Sequence, residues 1–365
     1  MKTIVHVIGA RPNYMKIAPL IEALRGGSPF RQILVNTGQH YDDMMAQAFV
    51  RDLGLPTPDY DLGVGSASHA VQTARVMIEF EKVCLAERPD LVVVVGDVNS
   101  TVAASLVAAK LLIPVAHVEA GLRSRDRTMP EELNRLVTDH LADLLFAPSP
   151  DAVENLRAEG VSGSHVHFVG NVMIDSLVVA LPAARALEAP RRHGVMKGQY
   201  TVVTLHRPAN VDDPATLCEL LGALAQVSKG GPTLFPVHPR TRARMKSLGA
   251  DVFAMNGVRV LEPLPYLEML GLVSDAGLVI TDSGGLQEET SWLGIPCVTV
   301  RPNTERPITC AVGTNRLVAP RRAAIQDAAR EAVAQRPATP PVIDRWDGYT
   351  GERIAAVLCD GARFD

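Results

Sequence analysis

Short apolar runs alternate with longer helical patterns along most of this 365-residue chain. Runs such as LVVVV at residues 91–95 are apolar at every position, which is typical of strands buried on both faces of a parallel sheet. The stretches between them have the length and apolar spacing of helices. The pattern therefore predicts repeated βα units, and with them an α/β fold built on parallel sheets.

The predicted strands fall into two groups, one in each half of the chain. They are residues 3–8, 32–36, 91–95, 114–118, 144–147 and 166–169 in the first half, and residues 200–205, 233–237, 258–261, 277–281 and 296–300 in the second. The predicted helices include residues 14–25, 100–111, 131–142, 214–227, 285–293 and 351–359. In such sheets ligands bind beyond the carboxyl ends of the strands. We therefore expect two Rossmann-like domains that face a central cleft.

The length of the chain also favours two domains, because 365 residues exceed what one hydrophobic core usually supports. We expect an N-terminal Rossmann-like domain at 1–172 and a C-terminal one at 173–345. The stretch 181–199, rich in Ala, Arg and Pro, suits a linking helix and loop. We expect residues 346–365 to form a terminal helix that packs back on the N-terminal domain.

Composition and charge narrow the class of protein. The chain is 47% hydrophobic and 21% charged, as is typical of a globular enzyme, and a net charge of -4 argues against a general nucleic-acid binder. Its five cysteines are scattered and lack CxxC spacing, so they indicate neither a disulfide framework nor a zinc site, and a reducing cytoplasm fits best. No apolar run is long enough to predict a membrane span, and the run at residues 3–10 is too short for a signal peptide.

The segment ITDSGGLQEE at residues 280–289 follows an apolar run and opens a helical pattern. Backbone N–H groups at a helix start attract anions, and Gly284 and Gly285 after Ser283 let a diphosphate approach the backbone closely. Glu289, a turn or two into the helix, is placed to accept hydrogen bonds from ribose hydroxyls. The alternative is an ordinary strand-to-helix turn with a serine cap.

Three carboxylates follow strand ends or begin a helix in the first half, namely Asp97, Glu119 and Glu131. Carboxylates at these positions suit general acid/base chemistry. Each also has a structural alternative, which is a helix cap for Asp97, an ion pair with Arg123 or Arg125 for Glu119, and an interaction with the helix dipole for Glu131.

The dipole role fits Glu132 better than Glu131. Glu131 has Asn134 and Arg135 as neighbours, which suggest that this end of the helix is polar and faces the cleft.

The second half supplies histidines, and both halves supply basic groups. His206 ends the strand YTVVTL, and His238 in PVHPRT is a weaker candidate of the same kind. Arg11 and Lys16 flank the loop after the first strand, and Arg306 follows the strand at 296–300. Such cations suit the charges of a diphosphate leaving group, although a single surface arginine is more often only solvated.

Several familiar motifs are missing from the sequence. No GxGxxG follows a strand, so a tightly held NAD is not indicated. No cluster has the spacing of a zinc site, and no GxSxG marks a nucleophile elbow. We expect no cofactor and no metal.

Eleven motifs, taken together, resemble the non-hydrolysing UDP-N-acetylglucosamine 2-epimerases over essentially the whole chain. They are GARPNYMK, TGQH, GDVNST, HVEAGLRS, PEELNR, FVGNVMID, TLHRPAN, PVHPRT, TDSGGLQEE, NTERP and GTNRLV, beginning at Gly9, Thr37, Gly96, His117, Pro130, Phe168, Thr204, Pro236, Thr281, Asn303 and Gly313. The resemblance implies a glycosyltransferase-B-like arrangement, a homodimer, no NAD and no essential metal. It also implies that the domain at 1–172 contains the sugar and acid/base site and that the domain at 173–345 binds UDP. It implies that UDP-GlcNAc and UDP-ManNAc are interconverted by anti elimination of UDP to 2-acetamidoglucal and re-addition.

The resemblance also implies roles for individual residues. Asp97, Glu119 and Glu131 are the acid/base carboxylates, and His206 assists departure of the diphosphate. The substrate-binding set is Arg11, Lys16, Arg135, His238, Ser283, Gly284, Gly285, Glu289 and Arg306. Which carboxylate takes the C2 proton stays open.

Some positions depart from the family pattern. Members activated by a second UDP-GlcNAc carry Arg and Gln where this chain has Pro208 and Asp42. Weak or absent activation by substrate is therefore expected, since two polar contacts are lost. The GARPNYMK variant leaves 2,3-diacetamido or 6-modified UDP-sugars open as substrates. A hydrolysing 2-epimerase, a glycosyltransferase of the same fold and a nucleotide-sugar-binding regulator also stay open, although a regulator has no need of the carboxylates.

Overall fold

The computed structural model describes residues 1–26, 29–38, 56–249 and 257–360. The chain divides into two compact units. The first unit comprises Met1–Val178 together with the residues from Asp344 onward, and the second unit is Val179–Ile343. Each unit is built on one parallel sheet with helices, which confirms the predicted fold class.

The first unit contains a seven-stranded sheet in the order β3-β2-β1-β4-β5-β6-β7. Its strands are β1 (Lys2–Ile8), β2 (Phe30–Asn36), β3 (Tyr60–Asp61), β4 (Leu91–Val95), β5 (Val115–Val118), β6 (Leu144–Ala147) and β7 (Val166–Phe168). Its helices before the division are α1 (Arg11–Ala23), α2 (His69–Glu87), α3 (Asn99–Lys110), α4 (Pro130–Leu141) and α5 (Pro150–Ala158), with a 3-10 turn at Gly163–His165. Helix α6 (Val172–Ala186) runs across the division between the units.

The second unit contains a six-stranded sheet in the order β10-β9-β8-β11-β12-β13. Its strands are β8 (Thr201–Thr204), β9 (Thr233–Pro236), β10 (Val258–Leu261), β11 (Leu278–Thr281), β12 (Cys297–Val300) and β13 (Asn315–Val318). Its helices are α7 (Ala189–Arg192), α8 (Pro208–Val211), α9 (Pro214–Val227), α10 (Pro239–Ser247), α11 (Tyr266–Ser274), α12 (Gly284–Leu293), α13 (Ile308–Ala311) and α14 (Arg322–Ala334), with a 3-10 turn at Ser228–Gly230. The chain then returns to the first unit as α15 (Thr350–Asp360).

Apolar side chains cover both faces of the first sheet, which explains the uninterrupted apolar runs. On β1, Ile4 and Ile8 belong to one buried cluster, together with side chains of α1 and α15. Val5 and Val7 belong to another cluster on the opposite face, with side chains of α2 and α3. Successive side chains of a strand point to opposite faces, so a strand buried on both faces is mostly apolar. The exception on β1 is the buried His6, whose Nε2 forms a 3.0 Å hydrogen bond with Oε1 of Gln32.

Helix α15 packs against α1 at very close range. A Cβ added at Gly351 would lie 2.5 Å from the carbonyl oxygen of Pro19, so glycine is required at this contact. Asp175 of α6 accepts a 2.7 Å hydrogen bond from the backbone N–H of Gly351 and so fixes the start of α15. Ile354 and Leu358 of α15 are fully buried in the core of the first unit.

The strand order reverses once in each sheet, between β1 and β4 in the first unit and between β8 and β11 in the second. At such a point the loops after the two strands diverge and leave a crevice at the carboxyl edge of the sheet. The residues that follow these strands include Asp97 after β4, His206 after β8 and Ser283 after β11. The topology thus puts sequence-predicted site residues at the two crevices.

The pattern missed the strands β3 and β13. Strand β3 has only two residues, and β13 is an edge strand that begins with the polar Asn315 and Arg316, so neither is an apolar run. Residues 181–199 contain the second part of α6 and the short helix α7, with Pro182 inside α6. Among the described helices, none is long and apolar enough to cross a membrane.

Candidate functional site

Asn13 joins the loop after β1 to the end of β4. Its Oδ1 accepts hydrogen bonds from the backbone N–H groups of Gly9 (3.2 Å) and Ala10 (2.9 Å), and its Nδ2 donates to the carbonyl of Val95 (3.0 Å). Arg11 is the first residue of α1, and its side chain lies outside the described part of the structure. The two strands that border the crevice of the first unit are therefore tied together at their carboxyl ends.

Lys16 and Glu119 form a buried ion pair beside this loop. The ammonium Nζ of Lys16 donates to Oε2 of Glu119, and the two side chains are only 7% and 3% exposed. Gly96 lies against the pair, since a Cβ added there would meet Nζ of Lys16 at 2.8 Å and Oε2 of Glu119 at 3.5 Å. Lys16 is therefore the ion-pair partner of Glu119, in place of the Arg123 or Arg125 considered from the sequence.

Asp97, the residue after Gly96, forms a second ion pair with Arg135. Both Nε (3.0 Å) and a terminal nitrogen (2.7 Å) of Arg135 donate to Oδ2 of Asp97. Asn134, the residue before Arg135 on α4, donates to the backbone carbonyl of Asp97 (2.9 Å). Helix α4 therefore holds both the side chain and the backbone of Asp97.

The two adjacent glutamates of α4 lie in different surroundings. Glu132 is buried and accepts hydrogen bonds from the backbone N–H groups of Ser124 (2.9 Å) and Arg125 (2.7 Å), and from Arg135 (2.5 Å). It therefore fixes the loop after β5, a role beyond the helix-dipole interaction expected from the sequence. Glu131 is half-buried, and within the described residues its carboxylate has no hydrogen-bond partner.

His117 and Asp139 form a buried pair next to Gly96, and neither of them was assigned a role from the sequence. His117 contacts the carbonyl of Gly96 through Nε2 (2.8 Å) and Asp139 through Nδ1 (2.6 Å). Asp139 also accepts from the backbone N–H of Gly121 (3.0 Å) and pairs with Arg123 (2.7 Å). Burial opposes the charge of Asp139, but His117 and Arg123 outweigh that effect and lower the pKa of this carboxyl.

His206 of the second unit lies against Asp282, which the sequence reasoning also overlooked. Nδ1 of His206 is 2.8 Å from Oδ1 of Asp282, and the backbone N–H groups of His206 and Arg207 each donate to Oδ2 at 2.9 Å. The Asp282 side chain is fully buried, whereas that of His206 is 43% exposed. Burial opposes the charge of Asp282, but these hydrogen bonds prevail and lower the pKa of the carboxyl.

His238 lies next to His206, with the two ring centroids 5.8 Å apart and the rings tilted by 42°. Its Nδ1 accepts a 3.2 Å hydrogen bond from the backbone N–H of Arg240 and so caps α10. Pro208 is the first residue of α8, just beyond His206, whereas Asp42 lies outside the described residues.

The segment 283–285, which the sequence predicts to bind phosphate and which we call the phosphate cradle, lies at the junction of β11 and α12. Ser283 precedes the helix, and Gly284 and Gly285 are its first two residues. Arg306 packs directly on this turn, because a Cβ added at Gly284 would lie 2.7 Å from its guanidinium. Arg306 is buried and pairs with Glu288 (2.7 Å) and Glu305, so its charge is already balanced beside the cradle.

Glu289 lies one turn further along α12 and is buried next to Tyr266, whose hydroxyl donates to its carboxylate at 3.3 Å. Burial is the main reason that the pKa of Glu289 is raised to about 8; the hydrogen bond from Tyr266 acts in the opposite sense. Near neutral pH this side chain is therefore largely a protonated acid, which can donate as well as accept a hydrogen bond.

The first unit also has an exposed apolar groove of about 600 Å³ between α2, α3 and α4. Its apolar lining includes Met77, Val102, Leu133 and Val137, and the last two side chains are 41% exposed. His69 and Asn134 are polar groups at this groove. Within the described residues, no group of three or more His, Cys, Asp and Glu side chains is arranged to hold a metal ion.

Comparison with known proteins gives consistent matches. The family model described as UDP-N-acetylglucosamine 2-epimerase matches residues 22–359. A Methanococcus maripaludis UDP-N-acetylglucosamine 2-epimerase is 43% identical over 85% of this chain and 86% of its own length. The Pseudomonas aeruginosa UDP-2,3-diacetamido-2,3-dideoxy-D-glucuronate 2-epimerase is 41% identical over 91% of this chain and 92% of its own length.

The solved structures agree with the sequence relatives. A crystal structure of the Methanocaldococcus jannaschii UDP-GlcNAc 2-epimerase, in complex with UDP-GlcNAc and UDP, superposes with a TM-score of 0.89 at 40% identity. The match covers 99% of this chain and all of that one.

Proposed function

The chain belongs to the UDP-N-acetylglucosamine 2-epimerase family, and from this membership we propose that it inverts C2 of UDP-GlcNAc, giving UDP-ManNAc by elimination and re-addition of UDP. This proposal rests mainly on two ion pairs, Lys16–Glu119 and Arg135–Asp97, which lie at the crevice of the first sheet. They place one candidate acid/base carboxylate after each of the neighbouring strands β4 and β5, and each carboxylate is paired with its own cation.

The first unit supplies the sugar chemistry in this proposal. As the C1–O bond to the diphosphate breaks, C1 acquires oxocarbenium character and the C2 proton becomes removable by a carboxylate. Asp97, Glu119 and Glu131 are the groups available for taking and returning this proton. Lys16 and Arg135 restrict two of them to single orientations, which lowers the entropic cost of reaching the reactive geometry.

The second unit supplies the nucleotide site. The N-terminal turn of α12, at Ser283, Gly284 and Gly285, binds the diphosphate through backbone N–H groups and the helix dipole. His206 assists its departure, and Glu289 binds the ribose. The substrate is also contacted by His238 and Arg306 and, from the first unit, by Arg11. Arg306 contributes from its position against Gly284, where it is paired with Glu288.

A modified UDP-sugar is the second candidate substrate. The 41% identical Pseudomonas relative is named for a 2,3-diacetamido glucuronate, so close relatives differ in the groups at C3 and C6 while acting at the same carbon. We rank UDP-GlcNAc first because the family model and the 43% identical relative carry that name.

We also propose that the protein acts as a homodimer in the cytoplasm. The groove between α2, α3 and α4 leaves Leu133 and Val137 exposed, and a second copy is the occupant that the family resemblance implies. The five cysteines are unpaired, which fits a reducing compartment.

The test is an NMR time course with UDP-GlcNAc in D2O, run in parallel with the UDP-2,3-diacetamido glucuronate. UDP-ManNAc that carries deuterium at C2 is the expected product. Labelling of only the diacetamido sugar would support the second candidate. Free ManNAc would indicate a hydrolysing enzyme, and an absence of labelling in both sugars would contradict 2-epimerisation.

The same assay tests the carboxylates. We expect Asp97→Asn and Glu131→Gln to abolish turnover while UDP affinity stays within about tenfold, because the nucleotide is held mainly by the second unit. Glu154→Gln, at an exposed acid of α5, is the matched control and should turn over normally. Full activity in both site variants would remove these carboxylates from the mechanism.

A further inference from the structure

Asp282 is a buried carboxylate with an unusually complete set of hydrogen bonds. Besides the bonds from Nδ1 and the backbone of His206, it accepts from the backbone N–H of Arg207 and from the Asn210 side chain (3.1 Å). Its own carbonyl accepts from Nε of Arg207 (3.0 Å). One residue therefore fixes both the loop after β8 and the ring of His206.

The contact with Nδ1 determines which nitrogen of His206 carries a proton. A carboxylate only accepts hydrogen bonds, so Nδ1 must be the protonated nitrogen that donates to Asp282. Nε2 then remains to exchange protons with other groups. Asp282 also immediately precedes Ser283, so the residue that orients the ring is joined directly to the phosphate cradle.

We propose that Asp282 is a positioning residue that holds the Nδ1–H of His206, so that Nε2 is the nitrogen that exchanges a proton with the nucleotide diphosphate. This inference rests on the proposed function. When the C1–O bond breaks, its electron pair passes to the diphosphate oxygen, and the proton on Nε2 moves to that oxygen. The C2–H electron pair forms the C1–C2 double bond while a carboxylate takes the C2 proton. In the return step a carboxylate delivers a proton to the opposite face of C2, the electron pair of the C1–C2 double bond forms the new C2–H bond, UDP re-adds at C1, and Nε2 takes back the proton from the diphosphate oxygen.

Asp282→Asn is the informative variant because it retains the size of the side chain. The amide oxygen can still accept from the backbone N–H groups of His206 and Arg207, while the NH2 group faces Nδ1. Nδ1 must then accept a hydrogen bond, and the ring changes to the Nε2–H tautomer. A ring held in this way cannot protonate on Nδ1 without losing its partner, and so it fails as a general acid.

The first measurement is of the tautomer. Protein labelled with 15N-histidine is studied by long-range 1H–15N correlation about two pH units above the ordinary histidine pKa, and His206→Gln identifies the signal. We expect Nδ1–H in the native protein and Nε2–H in Asp282→Asn. An Nε2–H tautomer in the native protein would overturn the inference.

The second measurement is of turnover and binding. For Asp282→Asn we expect kcat to fall by about 100-fold or more, as for loss of a general acid, while the Kd for UDP changes by less than about threefold. Asn210→Ala removes a support of the same loop, namely the bonds to Asp282 and to the carbonyl of Val300, and leaves the histidine contact intact. Its kcat should change by less than about threefold. An equal loss in both variants would mean that Asp282 only stabilises the loop.

These outcomes separate the inference from the function on which it rests. Native Nδ1–H without epimerisation of either UDP-sugar would contradict the proposed function and leave the orienting contact in place. Epimerisation by the native protein together with a fully active Asp282→Asn variant would contradict the role of Asp282 and leave the function standing.

Discussion

Two residues at the crevice of the first unit have left-handed backbone conformations. Gly96 has φ of +67° and Glu119 has φ of +75°. Glycine adopts this region without strain, whereas a glutamate there costs about 1 to 3 kcal/mol unless its surroundings hold it in place. The ion pair with Lys16 and the network of His117 and Asp139 supply those surroundings.

Gly96→Ala tests how tightly this arrangement is packed. The new Cβ would lie 2.8 Å from Nζ of Lys16, so we expect the Lys16–Glu119 pair to separate and kcat to fall by at least about tenfold. Gly160→Ala is the matched control, because it has a similar φ of +85° and nothing within 4 Å of the added Cβ. Both variants put an alanine at a positive φ, so both lose stability for that reason. Urea unfolding should show a further decrease of about 1 to 3 kcal/mol in the free energy of unfolding only for Gly96→Ala. Equal values would show that the ion pair adapts freely.

Glu289 gives a pH dependence with a defined sign. Its pKa is raised from 4.5 to about 8 by burial, so between these values the folded protein binds a proton that the unfolded chain releases. The contribution to stability is complete below about pH 4.5 and is lost as the pH rises through about 8. Glu289→Gln resembles the protonated acid, and the difference in unfolding free energy between variant and native protein should grow over this window. A difference that does not depend on pH would contradict the raised pKa.

At the scale of elements, the sequence pattern identified most of the strands, including the edge strands β7 and β10, and missed the edge strands β3 and β13. Strand β4 is fully buried and apolar throughout. Strand β13 lies at the edge of its sheet and begins with Asn315, which donates hydrogen bonds to Gln287 and Thr309. Asn315 therefore contacts the neighbouring helices α12 and α13, and a polar residue used in this way does not contribute to an apolar run.

Helix α15 shows another limit of local patterns. The sequence predicts the helix, but its place in the core depends on Gly351 fitting against Pro19 and on the hydrogen bond to Asp175. These partners lie far away along the chain. The extent of its burial is therefore set by the assembled first unit.

At the scale of the whole molecule, the proposed dimer is tested at the apolar groove. Leu133→Asp puts a charge on its exposed lining, and we expect the dimer to dissociate because a desolvated carboxylate would have no partner there. The mass should be measured by light scattering over a range of concentrations. Leu85→Asp, on a 60% exposed residue of α2 that does not line the groove, is the control and should leave the mass unchanged. A native protein that is monomeric throughout the range would contradict the proposal.

The amino-acid sequence by itself determined the fold class, most of the strands and the set of candidate residues. These features depend on local information, since apolar runs reflect burial on both faces of a sheet and the motifs follow strand ends. Only the tertiary structure determined which side chains pair with these candidate residues. Glu119 pairs with Lys16, 103 residues away, and His206 contacts Asp282, 76 residues away. His206 and Asp282 follow the neighbouring strands β8 and β11, whereas Lys16 of α1 meets Glu119 beside Gly96, at the end of the strand that lies between β1 and β5. Neither composition nor spacing encodes these pairings.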